Sequence, residues 1–120
     1  MRILLIGGGK SGKSTMAQRL AAALSGDAPR YYWATMTPHD DEDLARIRRH
    51  VADRAGMDFI TVERSFDLPA ALPALDRHGT VLFDSVTACL AAQMFDEHGQ
   101  MDGGAPDRTA AQIAAIMPPA

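Results

Sequence analysis

Four apolar residues, Ile3, Leu4, Leu5 and Ile6, run directly into Gly7-Gly8-Gly9-Lys10-Ser11-Gly12-Lys13-Ser14, and an alanine- and leucine-rich stretch follows. A short continuous apolar run of this kind reads as a strand buried on both faces of a parallel sheet. The glycines then allow the backbone to wrap an anion. In the G-x-x-x-x-G-K-[ST] pattern, main-chain N–H groups and a helix N-terminus hold a phosphate, the lysine neutralises β/γ oxygens and the hydroxyl reaches Mg²⁺. Gly7, Gly12, Lys13 and Ser14 complete that pattern, with Gly8, Gly9, Lys10 and Ser11 as its interior. The bland alternative is a glycine-rich turn that only joins strand to helix. Against it stand the preceding strand and Met16, Leu20 and Leu24, which recur at helical spacing.

At 120 residues the chain supports one domain, and 47% apolar content is ample for a single core. A formal net charge of −3 argues against a sequence-independent grip on nucleic acid, which needs a broad basic surface. Cys89 stands alone, so no internal disulfide is expected; a small buried thiol in a reducing cytoplasm fits. The passage from Met1 and Arg2 into the apolar run leads us to expect no removable leader, and no apolar run is long enough to span a bilayer.

Helix and strand signals alternate along the chain. The helix after the glycine loop should span Ser14 to Leu24, stopped by Ser25-Gly26-Asp27-Ala28-Pro29. Tyr31 to Thr35 reads as the second strand, and Thr37-Pro38 as the cap and first position of the next helix. In that helix Asp40 to Asp43 come early and Arg46, Arg48, Arg49 and His50 late, which complements the helix dipole, while Leu44, Ile47 and Val51 form an apolar stripe. Further strands are expected at Phe59 to Val62 and Thr80 to Phe83, with a short proline-interrupted helix at Leu68 to Leu75 between them. Helices at Val86 to Glu97 and Asp107 to Met117 should flank a glycine-containing loop. The order implies an α/β fold with a mostly parallel sheet flanked by helices, whose ligand sits at the carboxyl ends of the strands.

Val81-Leu82-Phe83-Asp84 is an apolar strand ending in a carboxylate, where a phosphate-loop protein places the acid that helps hold Mg²⁺. Many strands end at an Asp that only caps the next turn. Ser14 and Asp84 are therefore the expected metal pair, and Lys13 the residue that offsets charge on a transferring phosphoryl group. Spacing alone names no acceptor.

The ordered series resembles the bifunctional adenosylcobinamide kinase/adenosylcobinamide-phosphate guanylyltransferase family of cobalamin biosynthesis, which has a RecA-like P-loop fold. The matching elements are the opening loop, Ala34-Thr35, the acids Asp40 to Glu42, Arg46-Ile47-x-x-His50, Arg54, Thr61-x-Glu63 and Asp84-Ser85-x-Thr87, over roughly residues 2 to 97. The loop is common to many families, and the Arg-Ile-x-x-His block is far more diagnostic.

The resemblance implies a transferase that uses Mg²⁺ with GTP and ATP. It would phosphorylate a corrinoid and then pass GMP to the corrinoid phosphate through a guanylyl-histidine. That carrier falls on His50. Imidazole suits the task, because a neutral ring nitrogen is nucleophilic near neutral pH and a covalent intermediate splits one difficult transfer into two. Without the resemblance His50 reads as a solvated histidine late in a helix. His39, His78 and His98 read as surface or loop residues. Carried over residue by residue, the nucleotide contacts are Gly7 to Ser14, Ala34, Thr35, Met36, Val51, Ala52, Asp53, Arg54, Glu63 and Asp84. Arg49 and Arg54 would face the triphosphate. Met36 stands where a small polar residue is expected, and Arg49 where some relatives have a second histidine.

Family members continue into another strand, with an Asn-Glu-Val-Gly type signature, and a further helix. Nothing similar follows Met117 to Ala120, so the sheet is expected to lack those strands, with reduced stability or reliance on neighbouring subunits, including a homo-oligomer. Two rival readings use the loop alone: a P-loop small-molecule kinase of other specificity, and a nucleotide-binding fragment without turnover.

Overall fold

The computed structural model describes residues 2–7, 11–38, 40–95 and 99–118. Its elements are α1 (Lys13–Ser25), β1 (Arg30–Ala34), α2 (Asp41–Asp53), β2 (Phe59–Glu63), a 3-10 segment (Leu68–Ala74), β3 (Thr80–Asp84), α3 (Val86–Met94) and α4 (Ala105–Ile116). The three strands form an open parallel sheet in the order β2-β1-β3. This is the expected α/β architecture with helices flanking a parallel sheet.

Side chains alternate across the strands, so the register decides which residues meet. Trp33 pairs with Val62 on one side and Phe83 on the other, and these three point to one face. There they join Leu68, Ala71 and Cys89, with Leu75, Ile113 and Ile116 packed around them, to form the core beneath the 3-10 segment, α3 and α4. The rings of Trp33 and Phe83 meet edge to face at 5.4 Å. The indole N–H donates to the Arg64 carbonyl at 2.9 Å, so burying its polar atom leaves nothing unpaired. Between α3 and α4 the buried Gln93 donates to Gln112 and accepts from Thr109, and it also bonds to the Ser65 carbonyl.

The opposite face carries Arg30, Tyr32 and Ala34 of β1, Phe59, Thr61 and Glu63 of β2, and Thr80, Leu82 and Asp84 of β3. Helix α1 packs against β3 and β1. It does so through Ala17, Gln18, Ala21 and Ser25, not through the expected Met16, Leu20 and Leu24 stripe; Met16 and Leu24 face outward. Small side chains at i, i+4 and i+8 let a helix approach a sheet closely, and that contact displaces the bulkier stripe.

The expected first strand is corrected. Residues 2–7 belong to no strand, and Ile3, Leu4 and Ile6 are 51%, 75% and 87% exposed. An apolar run is buried only where a sheet offers it both a pairing edge and a covered face. Here Arg2 Nε instead donates to the Pro118 carbonyl at 2.6 Å, tying the segment to the chain after α4.

Helix α2 also begins later than the Thr37-Pro38 signal implies. Asp40 is its cap, accepting from the Asp43 N–H at 2.8 Å, and Asp41, Glu42 and Asp43 fill its first turn. A carboxylate at the cap followed by three acids satisfies the orphan amides and the dipole better than threonine does. The Leu44, Ile47 and Val51 stripe is present on α2, but none of the helix's residues is buried. Ser85 caps α3 by accepting from the Ala88 N–H. That helix ends at Met94 rather than at Glu97, because Phe95 turns extended and bridges to Met101.

Candidate functional site

The carboxyl ends of the three strands place Glu63, Ala34 and Asp84 side by side, because Ala34 is in register with both of its neighbours. These are three of the sequence-derived positions. Thr35 follows Ala34 and is buried. Its hydroxyl accepts from the Ser85 N–H at 2.8 Å and lies 3.0 and 2.9 Å from the carbonyls of Asp84 and Ser85. That side chain pins the β1 and β3 exits to each other. Met36 is half-buried beyond it.

Helix α1 returns the glycine loop to the same end of the sheet. Its last residue, Ser25, accepts from Arg30 Nε at the start of β1 at 2.9 Å. A 13-residue helix is about 20 Å long and a five-residue strand about 17 Å, so α1 running back along the sheet brings Gly12 and Lys13 level with the strand ends.

Gly12 caps α1 at φ 81°, in the left-handed region that favours glycine. A Cβ on Gly7 would lie 2.8 Å from Ser11 Oγ, so the two ends of the loop meet closely. Lys13 Nζ donates to the Gly7 carbonyl at 3.3 Å across that mouth. Gly8, Gly9 and Lys10 lie outside the described residues, as do His39 and His98.

A second group sits on the same sheet face. Tyr32 in the middle of β1 is buried and pairs with Leu82, and its hydroxyl donates to Oδ2 of Asp84, two residues further along β3 on the same face. His50 reaches the same oxygen from α2, with Nδ1 at 3.9 Å, an ion-pair separation rather than a hydrogen bond. His50 and Asp84 are 28% and 26% exposed, so a ligand can reach both.

Arg54, just past α2, is 9% exposed; its guanidinium lies 3.8 Å above the Tyr32 ring and donates to Thr61 Oγ1 at 3.4 Å. Stacking on an aromatic face offsets part of the cost of burying that cation. Burial, then the hydrogen bond to Asp84, push the Tyr32 hydroxyl well above its ordinary pKa, so it remains a donor.

The structure thus brings together His50, Arg54 and Asp84 of the sequence-derived set, and brings Gly7, Ser11, Gly12 and Lys13 to one turn. Val51, Ala52 and Asp53 are exposed on the last turn of α2, and His78 is exposed in a turn. Tyr32 was missed, because an aromatic in a strand reads as core. Adjacent Tyr31 and Tyr32 must point to opposite faces, and the parity shared by Tyr32, Ala34 and Asp84 is the signal that finds it.

Asp84 Oδ1 and the Ser14 hydroxyl are hard oxygen donors of the kind Mg²⁺ takes, and the hydrogen bond that Asp84 accepts from Tyr32 goes to Oδ2, so the donor chemistry fits that ion. Among the described residues no cluster of three or more histidine, cysteine or acidic side chains could hold a metal unaided.

A family model described as cobinamide kinase / cobinamide phosphate guanyltransferase matches residues 3–118. No curated protein and no solved structure matches the chain. With the match extending over nearly its whole length, the chain belongs to the cobinamide kinase / cobinamide phosphate guanyltransferase family, transferases of cobalamin biosynthesis.

Proposed function

We propose that the chain carries both activities in the family's name: phosphoryl transfer from ATP or GTP to adenosylcobinamide, then GMP transfer from GTP to the resulting phosphate through a guanylyl-His50. The observation that carries this reading is His50, in the Arg-Ile-x-x-His block, standing 3.9 Å from the strand-end carboxylate of Asp84. A P-loop kinase acting by direct transfer has no use for an imidazole there.

In the first step Lys13 and the amides around Gly12 bind the triphosphate tail, and the corrinoid side-chain hydroxyl is the acceptor. Ser14 and Asp84 would hold Mg²⁺, which would supply charge neutralisation at the phosphates when bound. In the second step His50 attacks the α-phosphorus of GTP, a nitrogen–phosphorus bond forms, and pyrophosphate departs with the bonding electrons. An oxygen of the corrinoid phosphate then attacks the same phosphorus, and the electron pair returns to imidazole. Glu63, Ala34 to Met36 and Val51 to Arg54 form the remaining nucleotide contacts. A reducing compartment such as the cytoplasm suits a chain whose single thiol is buried.

The test is product analysis. The intact chain supplied with cobinamide, ATP, GTP and Mg²⁺ should yield the corrinoid phosphate and then the GDP-corrinoid. His50→Ala should stop at the phosphate. Formation of the GDP-corrinoid by His50→Ala would refute the covalent role, and failure to phosphorylate any corrinoid would refute the kinase role.

A further inference from the structure

We propose that Tyr32 is the positioning residue of the guanylyl carrier: by holding Asp84 Oδ2 against His50 Nδ1, it reserves Nε2 as the nitrogen that takes the guanylyl group. This rests on the guanylyl-histidine reading above and specifies which atom of that site reacts.

The two ring nitrogens of a histidine are chemically distinct, and the partner of one decides which is free to attack. His50 Nδ1 has Asp84 Oδ2 at 3.9 Å. A carboxylate facing Nδ1 favours the tautomer with its proton there, which leaves the lone pair on Nε2. It also stabilises the cationic ring that exists once Nε2 has bonded to phosphorus. Catalytic contacts are often long before substrate arrives and tighten in the reacting complex, so 3.9 Å is a starting separation.

The carboxylate can serve this way only if its orientation is fixed. Tyr32 fixes it from within the sheet, since its hydroxyl donates to the same Oδ2 and its own ring is immobilised by burial beneath Arg54 at 3.8 Å. Arg54 is anchored in turn on Thr61 of β2. The chain of contacts from Thr61 through Arg54 and Tyr32 to Asp84 thus crosses all three strands and ends at the histidine. Tyr32 and His50 both face Oδ2, so among the described residues these contacts and a cation on Oδ1 do not compete for one oxygen.

Written out, the Nε2 lone pair forms the bond to the α-phosphorus of GTP, and the bond from that phosphorus to the bridging oxygen breaks. Pyrophosphate takes the electrons, and the Nδ1 proton remains on the ring facing Asp84. Attack by the acceptor phosphate reverses the charge change, and no proton need leave Nδ1 in either half.

Two measurements test this. In the first, the unaltered chain is incubated with GTP and Mg²⁺, and phosphorus–proton couplings of the histidine adduct report which nitrogen is bonded. Linkage at Nε2 is expected, and linkage at Nδ1 overturns the proposal while leaving the guanylyl-histidine reading intact. No adduct at all overturns both.

The second compares Tyr32→Phe, which keeps the buried ring and removes only the donor. The rate of adduct formation at saturating GTP should fall about 10- to 100-fold with the half-saturating GTP concentration unchanged, as expected when a reacting group is misaligned but substrate still binds. An unchanged rate, or a loss confined to GTP affinity, overturns the positioning role. The linkage measurement needs no variant and stands if Tyr32→Phe fails to fold.

Discussion

Tyr32 and Asp84 lie on one face of the sheet, and the tyrosine hydroxyl is bonded to the carboxylate oxygen that His50 also faces. A residue in the middle of a strand thereby governs the geometry of a group on a helix with no buried residues of its own. The sheet is the rigid partner and α2 the one that needs support.

That dependence makes the start of α2 a sensitive point. Asp40→Ala removes the side chain that caps Asp43 N–H and should cost about 1 kcal/mol of helix stability. Because α2 gains little from packing, we expect a measurable loss of far-ultraviolet helical signal and slower guanylylation of His50. Asp40→Asn or Asp40→Ser should restore both.

Lys13→Ala should weaken GTP binding by about tenfold or more, the loss expected for a charge-assisted contact to phosphate. Equilibrium titration with GTP reads it directly. Among the described residues Lys13 Nζ donates only to the Gly7 carbonyl at the loop mouth, so global stability should hardly change.

The core offers an independent check on the fold. Leu68 is fully buried beside Trp33, Ala71 and Cys89, and Leu68→Ala should cost about 2–5 kcal/mol. The exposed Leu72 on the same 3-10 segment provides the contrast: Leu72→Ala should cost less than about 1 kcal/mol. Urea unfolding followed by Trp33 fluorescence measures both.

Much of this was legible in the sequence. Thr80 to Phe83 reads as a strand with the carboxylate of Asp84 at its end, and the structure has that strand one residue longer, with Asp84 as its last residue. The short segment around Pro73 and the helix after Ser85 also follow local signals. Other features were not legible because they depend on what lies opposite. Ile3 to Ile6 carry the strongest strand pattern in the chain, yet a strand exists only with a neighbour, and the segment is exposed. The packed face of α1 follows from its close approach to β3, which hydrophobicity alone ranks wrongly. In the site, His50, Arg54 and Asp84 were named from their motif, but their meeting through Tyr32 is a matter of register.

Cys89 gives a prediction in pH. Burial pushes its thiol above the ordinary range, and the Gln93 amide offsets this only in part. A raised folded-state pKa means the folded chain holds the proton more tightly. The associated stability is complete below the unfolded value of about 8.5 and is lost as pH rises through the folded one. Native protein at pH 8 should therefore react with a thiol reagent far more slowly than urea-unfolded protein, and its urea midpoint should fall as pH rises above about 9. Rapid labelling of the native chain at pH 8 would show that Cys89 is open to solvent.

The most direct measurement is incubation of the intact chain with Mg²⁺ and GTP labelled at its α-phosphorus, followed by denaturation and mapping of the labelled peptide. The account predicts an acid-labile adduct on the peptide containing His50, absent when the label is on the γ-phosphorus and absent in His50→Ala. A folded chain that binds GTP but takes up no α-label, or one that labels equally well in His50→Ala, would contradict it.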